Sequence, residues 1–309
     1  MSPAAPSAEP PVAEPPVAED RPRVPAVPAS SLVLVRPGAG GEISVFTVRR
    51  AGTMAFSAHA TAFPGGRVDP ADDLPDRLWE GTDLADWGRR LGLPREPVDA
   101  HGTLTELDPA EGAGRVLAAA VRETFEETGV LLARDAVTGT PVDPARVAAF
   151  PDELRDAVER HEVDFGELLD REGLRPDAGA LVPWSRWITP HGGPRRYDTF
   201  FFAVHLPQGQ SPERMSSEAA SHGWASPAEL LRRFRAGEVN LMAPTWWQLR
   251  TLVDAGEDIH AGRSRFEPLE GVMLVAGQGP VFPHADEYLR DLMAFRAAAQ
   301  VEESKDNIL

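Results

Sequence analysis

The chain has 309 residues, a formal charge of −17 and no cysteine, and its one lysine is Lys305. The length suits one large domain or two small ones; the missing residue types exclude disulfides, thiolate catalysis, cysteine-bound zinc, Schiff-base chemistry and a phosphate-loop lysine. The acidic balance argues against nonspecific nucleic-acid or anionic-membrane binding, and with neither a secretory signal pattern nor an apolar run near the roughly 20 residues of a membrane span, a cytoplasmic location is expected.

Residues 1–29 repeat Pro, Ala, Glu and Val and read as an extended, disordered tail before a single domain over 30–299, with 300–309 as a C-terminal tail. Strands are expected at 31–35 and 43–49, joined by a Pro-Gly-rich hairpin connection, and at 59–63 leading into Gly65-Gly66. An insertion follows over about 68–113, with a turn at Asp69-Pro70 and one helix at 83–91 carrying Leu84, Trp87 and Leu91 on one face. It reads as a flank decoration or as a lid beside a site. The next helix ends at Gly129, a glycine C-cap, and 130–132 reads as a strand.

Helices are then expected at 144–150, 152–160 and 165–171, extended runs at 180–188 and 196–206, and a short extended piece at 218–225. The 196–206 run, with Phe200-Phe201-Phe202, is apolar enough for a central strand. Helices at 227–235 and 244–253, a strand at 272–276 and a helix at 286–299 complete an irregular mixture, which indicates an α+β domain.

The helix ending at Gly129 organises the chain. Leu117, Val121, Thr124, Phe125 and Thr128 form its core stripe, while Glu123, Glu126 and Glu127 gather on the opposite face. Three clustered carboxylates repel one another by a few tenths of a kcal/mol per pair. A hard divalent cation removes that penalty. Arg122 stands four residues from Glu126, the spacing of a helical ion pair.

Arg122-Glu123-Thr124-Phe125-Glu126-Glu127-Thr128-Gly129-Val130 resembles the second half of the Nudix box, and Phe63-Pro64-Gly65-Gly66 resembles its glycine turn. In that superfamily the box glycine stands 14 positions before the arginine; here the separation is 122 − 66 = 56, so about 42 residues are inserted. Counting eight back from Arg122, where the outer box glutamate should stand, lands on Gly114, with Glu111 nearby but out of register. The split box, Arg196-Tyr197-Asp198-Thr199-Phe200-Phe201, Trp224 with Ser226-Pro227, and residues 241–247 together resemble one branch, the coenzyme A diphosphatase type called nucleoside diphosphate-linked moiety X motif 19.

The resemblance implies a Nudix α/β/α sandwich with a mixed central sheet and Mg²⁺ or Mn²⁺ on Glu123, Glu126 and Glu127. It implies Arg122 orienting a glutamate and Glu218, six before Trp224, as metal ligand or base, with Glu213 its competitor. Arg67, Arg195 and Arg196 are candidates for phosphate contacts beside Gly65 and Gly66, and His191 for acid–base work. Trp184, Trp187, Trp246 and Trp247 would stack on adenine or, the favoured use, pack in the core. The expected reaction is hydrolysis of a small-molecule diphosphate, coenzyme A or acyl-coenzyme A first, to 3′,5′-ADP and 4′-phosphopantetheine or its acyl form. ADP-ribose, dinucleotides and nucleotide sugars are the rivals, as is a Nudix module that binds a nucleotide without cleaving it.

Overall fold

The computed structural model describes residues 25–50, 60–93, 107–189, 195–212, 219–256, 258–259, 271–273 and 282–306. Glu213, Glu218, His191 and most of the expected N-terminal tail lie outside them.

The sheet grows outward from β1 (Ala26–Pro37), an apolar run buried from Pro28 through Val35. It pairs in parallel with β8 (Arg196–His205) along ten residues, from Ala26↔Arg196 to Val35↔His205. That continuous ladder is why β1 begins at Ala26, before the expected residue 31 and inside the expected tail. Beyond β8, β7 (Val182–Ile188) is antiparallel and β11 (Gly271–Met273) runs parallel to β7. The 196–206 segment is therefore central, as its apolar content requires.

On its other side β1 splits. Its C-terminal end forms a hairpin with β2 (Ile43–Arg50), whereas Ala29–Ser31 pair with β4 (Gly65–Arg67). β2 diverges to meet β3 (Ala60–Ala62) on one edge and β9 (Ala219–Ala225) on the other, and β10 (Asn240–Leu241) joins β3.

Strand alternation sends side chains to two cores. Leu32, Leu34, Phe46, Val48, Phe200 and Phe202 face α2 (Pro109–Thr128), while Val33, Val35, Val45, Phe201 and Ala203 face α6 (Pro227–Arg235), α7 (Ala243–Ala255) and α8 (Ala285–Asp306). Both faces of a mixed sheet are covered, giving the α/β/α sandwich. Trp184 and Trp246 are fully buried and Trp187 and Trp247 nearly so, all in the second core, so the packing use of these indoles is the observed one.

Two helix-side expectations change. The box helix starts at Pro109, with Asp108 capping Ala110 N, so what read as the end of the insertion is its first turn. Residues 130–132 are not a strand. Gln210 binds Leu131 through both amide groups, accepting from its N–H at 2.8 Å and donating to its carbonyl at 3.0 Å, and so occupies the groups a neighbouring strand would use. The strand is β5 (Ala133–Asp135), paired with β6 (Leu174–Pro176) in a separate two-stranded sheet.

The described part of the insertion is core. Its helix α1 (Leu84–Arg90) starts at the Asp83 cap, and Leu74, Leu78, Trp79, Trp87 and Leu91 pack into the same cluster as α2. Gly88 permits the crossing, because a Cβ there would stand 2.7 Å from Pro109 O. After α2 come α3 (Pro144–Ala148), α4 (Asp152–Glu159) and α5 (Phe165–Arg171).

Candidate active site on the box helix

The C-terminal half of α2 lies across β1 and the glycine turn. Ser30 Oγ donates to Val116 O at 2.7 Å, tying the helix to β1. Gly65, at φ 146°, has backbone geometry that side chains rarely adopt, and a Cβ there would sit 2.6 Å from Ser31 Cα. At Gly66 a Cβ would meet Glu123 Cδ and both its oxygens at 2.5 Å. Two glycines in a row are therefore needed for β4 to pass between β1 and the acidic face of α2. Gly65 N donates to Glu127 Oε2 at 3.1 Å, which aims that carboxylate at the turn.

Arg122 is the hub. Its Nη1 donates to Glu123 Oε1 at 3.0 Å and to Glu126 Oε2 at 3.0 Å. Its Nε and Nη2 hold Asp72 in a two-pronged pair at 2.8 and 2.9 Å, and Nη2 also reaches Arg67 O at 3.1 Å. Such a fork is the strong form of a carboxylate–guanidinium contact. Asp72 is 1 % exposed and ends a short 3-10 turn, Pro70–Asp72, in which Asp69 caps Ala71 N and donates its own N–H to Asp72 Oδ2 at 2.7 Å.

Asp72 is the residue the sequence reading missed. The outer box position lies 14 − 8 = 6 residues after the box glycine, and 66 + 6 = 72. Counting back from the arginine failed because the extra residues lie between the two acidic positions. Counting forward from Gly66 would have found it. Glu111, the nearby alternative, instead pairs with Arg115 at 2.9 Å on the surface.

Burial sets the electrostatics. It pushes Glu123 up to about 7, with Arg122 pulling the other way and Glu126 and Asp72 adding to the rise. Glu126 and Asp72 are also raised, mainly by burial. Burial works against the Arg122 charge, but Asp72, Glu123 and Glu126 hold its pKa above the ordinary value. Four carboxylates, Asp72, Glu123, Glu126 and Glu127, thus adjoin one guanidinium and one glycine turn. Among the described residues no three acidic or histidine side chains already converge as a ligand set. The donor chemistry nonetheless fits a hard divalent cation: hard oxygens, in acidic surplus, beside a turn without side chains.

The other sequence candidates are dispersed. Arg67 enters through its carbonyl while its side chain is exposed, and Arg195 is exposed at the start of β8. Arg196 is 1 % exposed, with Nε donating to Thr189 O, so its guanidinium lies in the interior instead of at an open strand end. A cleft of about 220 Å³ opens at the end of α2, between Gly129, Arg155 and Gln210. Its α2 walls, Phe125 and Thr128, lie on the side of the helix turned from Glu123 and Glu127, so it is separate from the acid cluster.

The sequence pattern of the NUDT19 Nudix domain matches residues 26–252, which contain the whole acid cluster and both cores' strands up to β10. The chain belongs to that Nudix family. It is similar to the acyl-coenzyme A diphosphatase NUDT19 of Gallus gallus, 33% identical over 243 residues, which cover 69% of this chain and 62% of that protein. The Homo sapiens protein of the same name is 29% identical over 305 residues, covering 89% of this chain and 80% of its own length. A crystal structure of a Nudix hydrolase from Alicyclobacillus acidocaldarius superimposes with a TM-score of 0.55 at 30% identity, over 77% of this chain and 96% of that one. α2 is thus the Nudix helix of this chain, and its box is interrupted after Asp72.

Proposed function

We propose that this Nudix hydrolase cleaves the pyrophosphate of coenzyme A or an acyl-coenzyme A, releasing 3′,5′-ADP and 4′-phosphopantetheine or its acyl form. The observation that carries the reading is the gathering of Asp72, Glu123, Glu126 and Glu127 around one guanidinium and the Gly65-Gly66 turn. The names of the chicken and human relatives supply the substrate class.

Glu123, Glu126 and Glu127 would hold Mg²⁺ or Mn²⁺, which when bound supplies positive charge to the phosphoryl oxygens and acidifies water. Arg122 keeps Glu123 and Glu126 in place, and the Gly65 amide does the same for Glu127. The diphosphate would lie beside the glycine turn, with Arg67 and Arg195 as exposed phosphate contacts. Water attacks one phosphorus, the bond to the bridging oxygen breaks, and the water's proton passes to a carboxylate. Glu218, just ahead of β9, is the proposed base.

A panel of coenzyme A, ADP-ribose, a dinucleotide and a nucleotide sugar, each with Mg²⁺ and with Mn²⁺ and with products resolved by mass, tests the substrate. Coenzyme A should be cut to 3′,5′-ADP; cleavage of ADP-ribose with coenzyme A intact would remove the substrate assignment. Among the described residues no helix is long and apolar enough to cross a membrane. The cytoplasmic location is a proposal from composition, open to test by fractionation.

A further inference from the structure

We propose that the face of β9 at the sheet edge, where His222 and Trp224 lie over the buried Phe46 with Arg36 above, is the subsite for a 3′-phosphorylated adenosine. This rests on the coenzyme A reading and names how that substrate's nucleotide end is recognised.

The register places the groups together. β2 and β9 align Phe46 with Trp224 and Val48 with His222, so His222 and Trp224 project to the same side. Phe46 is 1 % exposed and belongs to the core around the Nudix helix, so this is the face that carries the acid cluster. The Phe46 ring lies 5.7 Å from His222 and 5.4 Å from Trp224, so it backs both rings from the core. Of the seven tryptophans, Trp224 alone is not buried, and His222 is exposed. His222 is thus the exposed ring on which one planar base can stack, with the partly exposed edge of Trp224 beside it.

The distance to the proposed chemistry also suits a nucleotide. His222, Val48 and Ala62 sit in one row across β9, β2 and β3, and Ala62 is three residues before Gly65. Two strand spacings make that row roughly 10 Å long. The 5′ diphosphate of a base on the aromatic surface would run along that row toward the Gly65-Gly66 turn, three residues beyond Ala62.

Arg36 supplies the selectivity. Its Cζ lies 4.1 Å from the centre of the Trp224 ring, and the residue is exposed. Stacking occupies the face of a guanidinium and leaves the N–H groups of its edge free to grip phosphate oxygens in two-pronged fashion. An aromatic surface with a stacked arginine at its rim fits a purine whose ribose carries a phosphate.

The test is calorimetric binding of 3′,5′-ADP and of 5′-AMP to the full chain and to Arg36→Ala, His222→Ala and Trp224→Leu, with coenzyme A hydrolysis followed on the same proteins. The wild type should bind 3′,5′-ADP about tenfold more tightly than AMP, and Arg36→Ala should abolish that difference while leaving AMP affinity unchanged. His222→Ala should weaken both ligands about tenfold, as should Trp224→Leu if it folds. Equal affinity of the wild type for the two ligands, or an Arg36→Ala change shared equally by both, would overturn the phosphate role. Unaltered affinities in His222→Ala would overturn the base site whether or not Trp224→Leu folds. A wild type that leaves coenzyme A intact yet shows the predicted binding pattern would sink the substrate reading and leave the subsite standing.

Discussion

Two buried arginines in this molecule have opposite surroundings. Arg186 on β7 meets one carboxylate, Asp198 on β8, through bonds of 2.9 and 2.6 Å, and its remaining arm donates to Gly92 O. Arg122 on α2 meets three carboxylates at once and a fourth stands beside them. The first is a balanced joint that ties the insertion to the sheet. The second gathers several carboxylates around a single guanidinium, so like charges are brought close together. Buried ion pairs are weak evidence for stability in general, and it is the crowding of carboxylates around Arg122, not burial alone, that underlies the proposed metal site.

The largest effect should come from Glu127→Gln. It keeps the shape of the cluster but withdraws the charge of a proposed ligand, so turnover should fall by at least about 100-fold with an unchanged circular dichroism spectrum. Undiminished turnover would remove the metal-helix mechanism. Next, Asp198→Ala strands Arg186 and should cost about 3–5 kcal/mol of unfolding free energy. Asp72→Ala leaves Arg122 with two glutamates and should cost less, about 1–3 kcal/mol, while lowering turnover more than Asp198→Ala. Urea titrations and rate measurements on the pair would reverse the comparison if the order came out the other way.

Acidity gives a subtler probe. Burial raises Glu123 from 4.5 to about 7, so between those values the folded chain keeps a proton that the unfolded chain releases. The metal-free protein should therefore lose stability, on the order of 1–3 kcal/mol, as pH climbs through that window. Added Mg²⁺ or Mn²⁺ should restore it near neutrality, and Glu123→Gln should flatten both responses; a metal-free melting curve whose midpoint rises with pH over the same window would contradict this. The smallest effect is reserved for Glu111→Ala, which removes an exposed pair with Arg115 and should change stability by less than about 1 kcal/mol and turnover not at all. Loss of turnover there comparable to that of Asp72→Ala would give the outer box role to Glu111 instead of Asp72.

Much of this was legible from local pattern. The spacing of Leu117, Val121 and Phe125 against Glu123, Glu126 and Glu127 separated the core face of α2 from its acidic face, and Ser226-Pro227 marked the start of α6 where it is observed. Arg196 misled because a strand end in sequence is not an end in space: β1 pairs alongside it and closes it in. The run 130–132 misled because its ladder partner is a side-chain amide 79 residues away.

By itself the sequence determined the acidic helix, its glycine stop and the glycine turn, since these depend on periodicity and backbone freedom over a few residues. Only the tertiary structure decided that Asp72 joins Arg122 across 50 positions, that Arg196 goes inward, and that Trp224, alone of the seven tryptophans, keeps a face at the surface. Those outcomes depend on which strands lie side by side and on how deeply charge is buried, and both are properties of the packed sheet that no local window contains.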